Sequence, residues 1–278
     1  MIPSVSLPGG KKVAQLGLGT WRMGESAATR AQEVKVLRHS IDSGITLIDT
    51  AEMYGEGGAE EVLGEAIRGQ RDGLFLVSKV YPWNASRRGT IAACERSLKR
   101  LGTDRIDLYL LHWRGDPPLA DTVAAFEQLK RDGKIGLWGV SNFDRDDMDQ
   151  LLALPDGTHC AVNQVYYNLA KRWPEARLIG RQRSAGIATM AYSPLDQGRL
   201  IGHRVLKAIA DRDGVTAAQV ALAWLLQFDD VMPIPKTSRV EGVDEIVGAC
   251  ELKLADQDLA ELTAAFPPPR STARMETT

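Results

Sequence analysis

Several apolar runs of this chain close on a residue that can hold or move a proton. Asp49 ends the run ITLID, Lys79 ends LFLVSK and His112 ends IDLYLLH, while Tyr54 lies five residues beyond Asp49 in DTAEMYG. Together the four suit reduction of a carbonyl group. Hydride delivered to a carbonyl carbon leaves negative charge on the oxygen, and a proton must reach that oxygen at about the same time. The Tyr54 phenol can donate it. An unperturbed phenol has a pKa of ~10, so a nearby ammonium should lower that value by stabilising phenolate. Lys79 fits this task, with Asp49 keeping the lysine charged and oriented. His112 can donate a hydrogen bond to the carbonyl oxygen, polarising it and fixing its approach.

Each residue also has a plainer reading. Asp49 could cap the segment that follows it, Lys79 could form a Schiff base, His112 could be a satisfied core residue, and Tyr54 could pack beneath its loop. Glu52 could join Asp49 and His112 at a metal. The other run ends, however, supply Ser141, Asn142, Gln164, Tyr192 and Lys236. Zinc and magnesium favour sets of histidines and carboxylates, so no metal site is expected.

For these residues to meet, the runs must be strands that converge at one end. They recur as Val13 to Gly19, Ile45 to Asp49, Leu74 to Val80, Ile106 to His112, Ile135 to Ser141, Ala161 to Val165, Ile187 to Ser193 and Val231 to Lys236. Between them, Ala59 to Arg68, Thr90 to Leu101, Asp121 to Lys130 and Ala217 to Gln227 return apolar residues every three or four positions, as helices do. Near-continuous apolar strands alternating with helices imply a parallel sheet buried on both faces. About eight strands favour an α/β class (β/α)₈ TIM barrel. A doubly wound dinucleotide fold is disfavoured because Gly17-Leu18-Gly19 continues as Thr20-Trp21-Arg22 and Gly55-Glu56-Gly57 as Gly58-Ala59-Glu60, neither of them G-x-G-x-x-G. In a barrel the polar strand ends converge on the mouth where active sites are built. Val5 to Val13, with a turn at Pro8 to Gly10, reads as an amino-terminal β-hairpin closing the barrel floor. Arg204 to Asp211 reads as an extra short helix, Ala255 to Ala265 as a short carboxyl-terminal helix, and the tail PPPRSTARMETT as loose.

The 278 residues match the ~250 typical of one such barrel, so a single domain over 1–278 is expected. A charged fraction of 25% beside 44% hydrophobic residues supports a folded core rather than disorder. A net charge of -2 offers no electrostatic footprint for nucleic acid or an anionic membrane. Cys94, Cys160 and Cys250 are too widely spaced for a zinc or redox motif and read as core thiols. The first residues lack the apolar stretch of a signal peptide, and no run is long enough to span a bilayer. The expected setting is the cytoplasm, and the expected partner a small carbonyl compound, with the chain a monomer or weak homo-oligomer.

These residues resemble the aldo-keto reductase superfamily along essentially the whole chain. The likeness is carried by GLGTW at 17–21, IDTAEMYGEG at 48–57, LVSKV at 76–80, DLYLLHW at 107–113, GVSNF at 139–143, NQVYYN at 163–168, AYSPL at 191–195 and PIPKTS at 233–238. The resemblance implies a catalytic tetrad of Asp49, Tyr54, Lys79 and His112. It also implies a nicotinamide cofactor held near Gly19, Thr20 and Trp21, with Ser141, Asn142 and Gln164 on its carboxamide and Tyr192 stacked on its ring. Asp49 counts among the cofactor contacts. Ser193 and Leu195 would meet the pyrophosphate, and Lys236, Thr237 and Ser238 the adenosine ribose and its 2′-phosphate. A lysine followed by two hydroxyls suits phosphate, which favours NADPH over NADH. Many members carry an arginine six residues after this lysine; here that position is Gly242, with Arg239 as a substitute cation and Glu245 in the acidic position near the adenine. The implied substrate pocket is an aromatic funnel of Trp21, Tyr54, Trp83, His112 and Trp113, with Asn84 and Arg114 expected at its border. AEMYG, LLHWRG and the short carboxyl terminus resemble a bacterial group that reduces methylglyoxal and related small aldehydes. A rival implication is a cofactor-sensing interaction protein with little turnover, against which the complete tetrad argues.

Overall fold

A computed structural model describes residues 1–277. Eight parallel strands follow one another around a nearly closed barrel: β3 (Gly17–Gly19), β4 (Leu47–Asp49), β5 (Phe75–Val80), β6 (Ile106–Leu111), β7 (Ile135–Ser141), β8 (Val162–Tyr166), β9 (Ala188–Tyr192) and β10 (Val231–Pro233). Each pairs with the next in chain order, and the Gly19 amide donates to the Pro235 carbonyl at 2.8 Å, drawing the first barrel strand against the last. Outside the barrel run the helices Arg30–Asp42, Gly58–Ala66, Arg87–Leu101, Leu119–Arg131, Arg145–Leu152, Ile179–Ser184, Ala217–Leu226 and Val240–Gly248. The (β/α)₈ architecture expected from the strand count is therefore the one observed.

The antiparallel pair β1 (Ser4–Leu7) and β2 (Lys11–Ala14) precedes the barrel, as expected. Its turn uses Gly9 and Gly10, both at φ +76°, a left-handed conformation that costs glycine little. Val5, Leu7 and Val13 pack in one cluster with Leu47, Phe75, Val77, Leu108, Leu110, Val162, Met190 and Met232, so the hairpin plugs the barrel interior from below. The run Val13 to Gly19 is not one strand. It breaks at Gln15, whose Nε2 donates to the Leu226 and Phe228 carbonyls at 3.0 and 2.9 Å, turning the chain from hairpin into barrel. The last strand also stops at Pro233, earlier than the expected Lys236. Pro233 and Pro235 cannot donate to a ladder.

Alternation along the strands decides which side chains enter the barrel. Leu47, Phe75, Val77, Leu108, Leu110 and Met190 belong to the interior cluster, whereas Ile48, Leu76, Val80, Tyr109 and Leu111 pack outward against the helices. Because successive residues of a strand face opposite sides, Asp49 shares parity with Leu47, Lys79 with Val77, and His112 with Leu110. The interior is thus apolar below and ends in a polar layer at the carboxyl mouth.

The tail departs from expectation. Residues 267–277 carry no helix or strand, yet Ala273 and Met275 pack against the core, Lys171 pairs with Glu276, and the Arg172 guanidinium donates to the Phe266 carbonyl at 2.5 Å. These contacts bring the tail back over the mouth of the barrel.

Candidate active site

The polar layer forms the floor of a cleft of about 1050 Å³ at the carboxyl ends of the strands. Lys79 is fully buried, and its three N–H bonds are all directed: 2.8 Å to Asp49 Oδ2, 2.8 Å to the Thr50 carbonyl and 3.1 Å to the Tyr54 hydroxyl. Asp49 is satisfied on its other oxygen by Gln164 Nε2 at 2.7 Å. The Thr20 hydroxyl donates to the Asp49 backbone carbonyl at 3.0 Å, which holds β3 and β4 in step at the mouth.

Tyr54 reaches this group from a tight turn rather than from a strand. Gly55, Glu56 and Gly57 all have positive φ there. The turn is pressed against Gly24 (φ +73°), where a Cβ would stand 2.1 Å from the Gly58 carbonyl carbon. Two backbones can approach that closely only without side chains. The His112 ring meets Tyr54 edge-on at 5.9 Å.

Burial governs the protonation of these groups. The Tyr54 phenol is pushed well above its ordinary value, first by burial and then by the Asp49 charge. The direction is opposite to the lowering expected from Lys79, whose ammonium donates to the phenol oxygen at 3.1 Å. Tyr54 therefore keeps its proton at neutral pH. The Lys79 ammonium is itself lowered by burial, opposed by Asp49. His112 is held well below its ordinary value by burial and by Lys79, so its imidazole is neutral. Its Nδ1 is buried without a hydrogen-bond partner among the described residues.

Around this floor the cleft is lined by Gly19, Trp21, Trp113, Ser141, Asn142, Gln164, Tyr192, Ser193, Leu195 and Lys236. The Tyr192 hydroxyl donates to Asn142 Oδ1 at 2.9 Å, and Asn142 Nδ2 to the His112 carbonyl at 3.1 Å. Gln164 Nε2 is turned toward Asp49, which leaves its Oε1 as an acceptor. Thr237, Ser238, Arg239 and Glu245 lie past Lys236, on the turn after β10 and on the helix Val240–Gly248, and are not part of the cleft wall. Gly242 is where Thr237 turns in, since a Cβ there would stand 2.2 Å from Thr237 Oγ1.

Some expected neighbours sit elsewhere. Trp83 is 65% exposed and stacks on Tyr81 at 4.3 Å, forming an outer layer against Trp113 rather than the cleft wall. Asn84 does not line the cleft: its Nδ2 donates to Glu52 Oε1 at 3.0 Å. Glu52 also accepts from the Tyr81 amide at 2.9 Å and pairs with Arg96 at 3.3 Å, so it clamps the loop after β5. Arg114 does line the cleft and pairs loosely with Asp147 at 3.7 Å. Met275 and Thr277 of the tail line it too. No periodicity pointed to them, because their packing joins segments far apart in the chain.

Comparison with known proteins gives a consistent answer. The profile of the Aldo/keto reductase family matches residues 15–266. Over 277 residues the chain is 47% identical to methylglyoxal reductase YeaE of Escherichia coli (strain K12), with 98% of each covered. It is 35% identical over 264 residues to the glyoxal reductase of Bacillus subtilis (strain 168), covering 94% of this chain and 92% of that one. An aldo-keto reductase from Klebsiella pneumoniae, crystallised in complex with NADPH, superposes with a TM-score of 0.96 at 48% identity, with 100% of each chain covered. The chain belongs to the aldo/keto reductase family and is, at that level, an oxidoreductase of carbonyl compounds.

Proposed function

We propose that this member of the aldo/keto reductase family uses NADPH to reduce small aldehydes or ketones, methylglyoxal among them, with Tyr54 as the proton donor. The observation that carries the reading is the continuous contact from Asp49 through Lys79 to the Tyr54 hydroxyl on the cleft floor, beside a neutral His112. NADPH, when held in the cleft, would supply the hydride. The donor set suits it: the Ser141 hydroxyl and the Asn142 and Gln164 amides fit a carboxamide, and Tyr192 offers an aromatic face. Gly19 and Trp21 border the nicotinamide end, with buried Thr20 acting through its bond to the Asp49 carbonyl, while Ser193 and Leu195 border the pyrophosphate.

Tyr54 then acts as general acid, releasing its proton to the carbonyl oxygen as charge develops there. Lys79 donates to the phenolate oxygen this leaves behind, and Asp49 keeps the ammonium in place. The neutral His112 ring retains one N–H and donates it to the substrate oxygen, fixing the approach of the carbonyl. Trp21 and Trp113 supply the apolar wall, and Trp83 backs Trp113. Lys236, with Thr237, Ser238 and Arg239 close by, supplies the cation and hydroxyls for a 2′-phosphate, while Glu245 lies toward the adenine. Gly242 brings no cation, which leaves Arg239 as the second candidate cation. The Klebsiella relative, crystallised with NADPH, and the Escherichia coli relative, named for methylglyoxal, support the cofactor and the substrate class.

The test is NADPH and NADH oxidation with a panel of small aldehydes including methylglyoxal, repeated with Tyr54→Phe. Loss of a general acid should lower kcat by about 10²- to 10⁴-fold, with NADPH affinity within about twofold of the wild type. Unchanged turnover in Tyr54→Phe removes the proton donor from the mechanism. Tight NADPH binding with no aldehyde reduced removes the catalytic reading altogether.

A further inference from the structure

A second tyrosine, itself outside the cleft wall, lies flat against Tyr192. Tyr166 and Tyr192 are register partners on adjacent parallel strands, β8 and β9. Neighbouring strands run about 4.8 Å apart and partnered side chains leave the same face, so the register itself builds a stack. The ring centroids are 5.4 Å apart with an interplanar angle of 5°. Tyr166 is 2% exposed, whereas Tyr192 lines the cleft.

The inner ring is anchored at its far end. The Tyr166 hydroxyl donates to Asp196 Oδ1 and accepts from Arg199 Nη2 at 3.1 Å, while Arg199 Nε donates to Asp196 Oδ2 at 2.9 Å. Burial, then the bond to Asp196, pushes the Tyr166 phenol up to about 12, so it remains a donor to Asp196 at neutral pH. Asp196 lies in the segment after β9, where Ser193, Asp196 and Gln197 all take positive φ, a conformation costly for residues other than glycine that persists only where surrounding contacts hold it. Asn168 Nδ2 donates to the Ser193 carbonyl at 2.9 Å, and Ser193, Leu195, Gln197 and Gly198 line the cleft. Tyr192 is thus backed on one face by Tyr166 and held at its hydroxyl by Asn142.

We propose that Tyr166 is a positioning residue for the cofactor: it is the fixed back layer of a three-ring stack in which Tyr192 carries the nicotinamide. The proposal rests on the reading that Tyr192 faces the nicotinamide. Without the back layer Tyr192 can tip into the space behind it, and the stack with the nicotinamide is weakened. An aromatic pair accounts for about a three- to tenfold change in affinity.

The experiment is a fluorescence titration of the full chain with NADPH and, by competition, with 2′-phosphoadenosine diphosphoribose, which keeps the phosphates and lacks the nicotinamide. The proteins are wild type, Tyr166→Leu, Tyr166→Phe and Tyr192→Leu, with Tyr166→Met as a second non-aromatic variant should the leucine variant fold poorly. The non-aromatic variants should bind NADPH about three- to tenfold more weakly and the nicotinamide-free fragment within about twofold of wild type. Tyr166→Phe, which keeps the ring and drops the hydroxyl, should restore most of the NADPH affinity. Equal weakening toward both ligands, or no weakening toward either, overturns the proposal, as does a phenylalanine variant as impaired as the leucine one. Tyr192→Leu separates the two layers of argument. If it weakens NADPH while the Tyr166 variants do not, only the role of Tyr166 falls. If it leaves NADPH unchanged, the assignment of Tyr192 to the nicotinamide falls first.

Discussion

Replacing Lys79 by methionine tests the centre of the site, because the side chains are similar in length and only the charge and donors disappear. Lys79 and Asp49 are 0% and 1% exposed and stand 2.8 Å apart. At that separation the attraction is of order 6 kcal/mol for an effective dielectric of ~20, and much of it offsets the desolvation of the two ions. In Lys79→Met that offset vanishes for Asp49, which retains only the Gln164 bond on its other oxygen. The Thr50 carbonyl and the Tyr54 hydroxyl lose a donor at the same time. Breaking a buried pair from one side typically costs about 3–5 kcal/mol, and that is the expected fall in unfolding free energy by urea titration. Asp49→Asn combined with Lys79→Met removes the orphaned charge and should recover more than half of the loss. Neither variant should recover aldehyde reduction, because Tyr54 has lost its support in both. A single variant destabilised by less than about 1 kcal/mol would show that the pair contributes far less than its burial implies. A double variant whose loss equals or exceeds that of the single would refute the claim that an unpaired Asp49 charge is the cause.

Three further outcomes follow from the geometry. Because burial and Asp49 raise the Tyr54 phenol above 10.0, the acid form persists as pH rises, and kcat for reduction should stay level from pH 7 to about 9; His112, lowered below 6.5, adds no limb in that range, and a fall centred near neutrality would contradict both assignments. Lys236→Met should weaken NADPH by about tenfold and NADH by less than twofold, since a charged contact to phosphate is lost only with the former; equal losses in paired titrations would remove the 2′-phosphate assignment. Gly24→Ala places a Cβ 2.1 Å from the Gly58 backbone at φ +73°, which should cost more than about 2 kcal/mol of stability and lower kcat by displacing the Tyr54 turn; an alanine variant with wild-type melting and turnover would show that the turn is not pinned there.

The barrel was legible because its determinants are local: eight apolar runs, four of them followed by a segment of helical period, leave few other ways to bury both faces of a sheet. The placement of Asp49, Lys79 and His112 at run ends was legible for the same reason, since the carboxyl ends of parallel barrel strands share one mouth. Which hydrogen bonds they make, and which way their protons lean, was decided by tertiary structure. Tyr54 could be named from its spacing to Asp49, yet its raised pKa comes from desolvation by residues distant in sequence and runs against the simple pairing of a phenol with an ammonium. Trp83 and Asn84 carried suitable chemistry but not position, because the Glu52 clamp and the stack on Tyr81 hold them outside the cleft. Conversely Met275 and Thr277, in a tail with no periodic signal, reach the cleft through packing and an ion pair between segments far apart in the chain. The barrel and the kinds of residue at its mouth could be read along the chain, since apolar runs, a helical period of 3.6 and the polar residues that end the runs are all local features. Only the tertiary structure decided their protonation, their partners and the wall around them, because burial and contact between distant segments have no period to read.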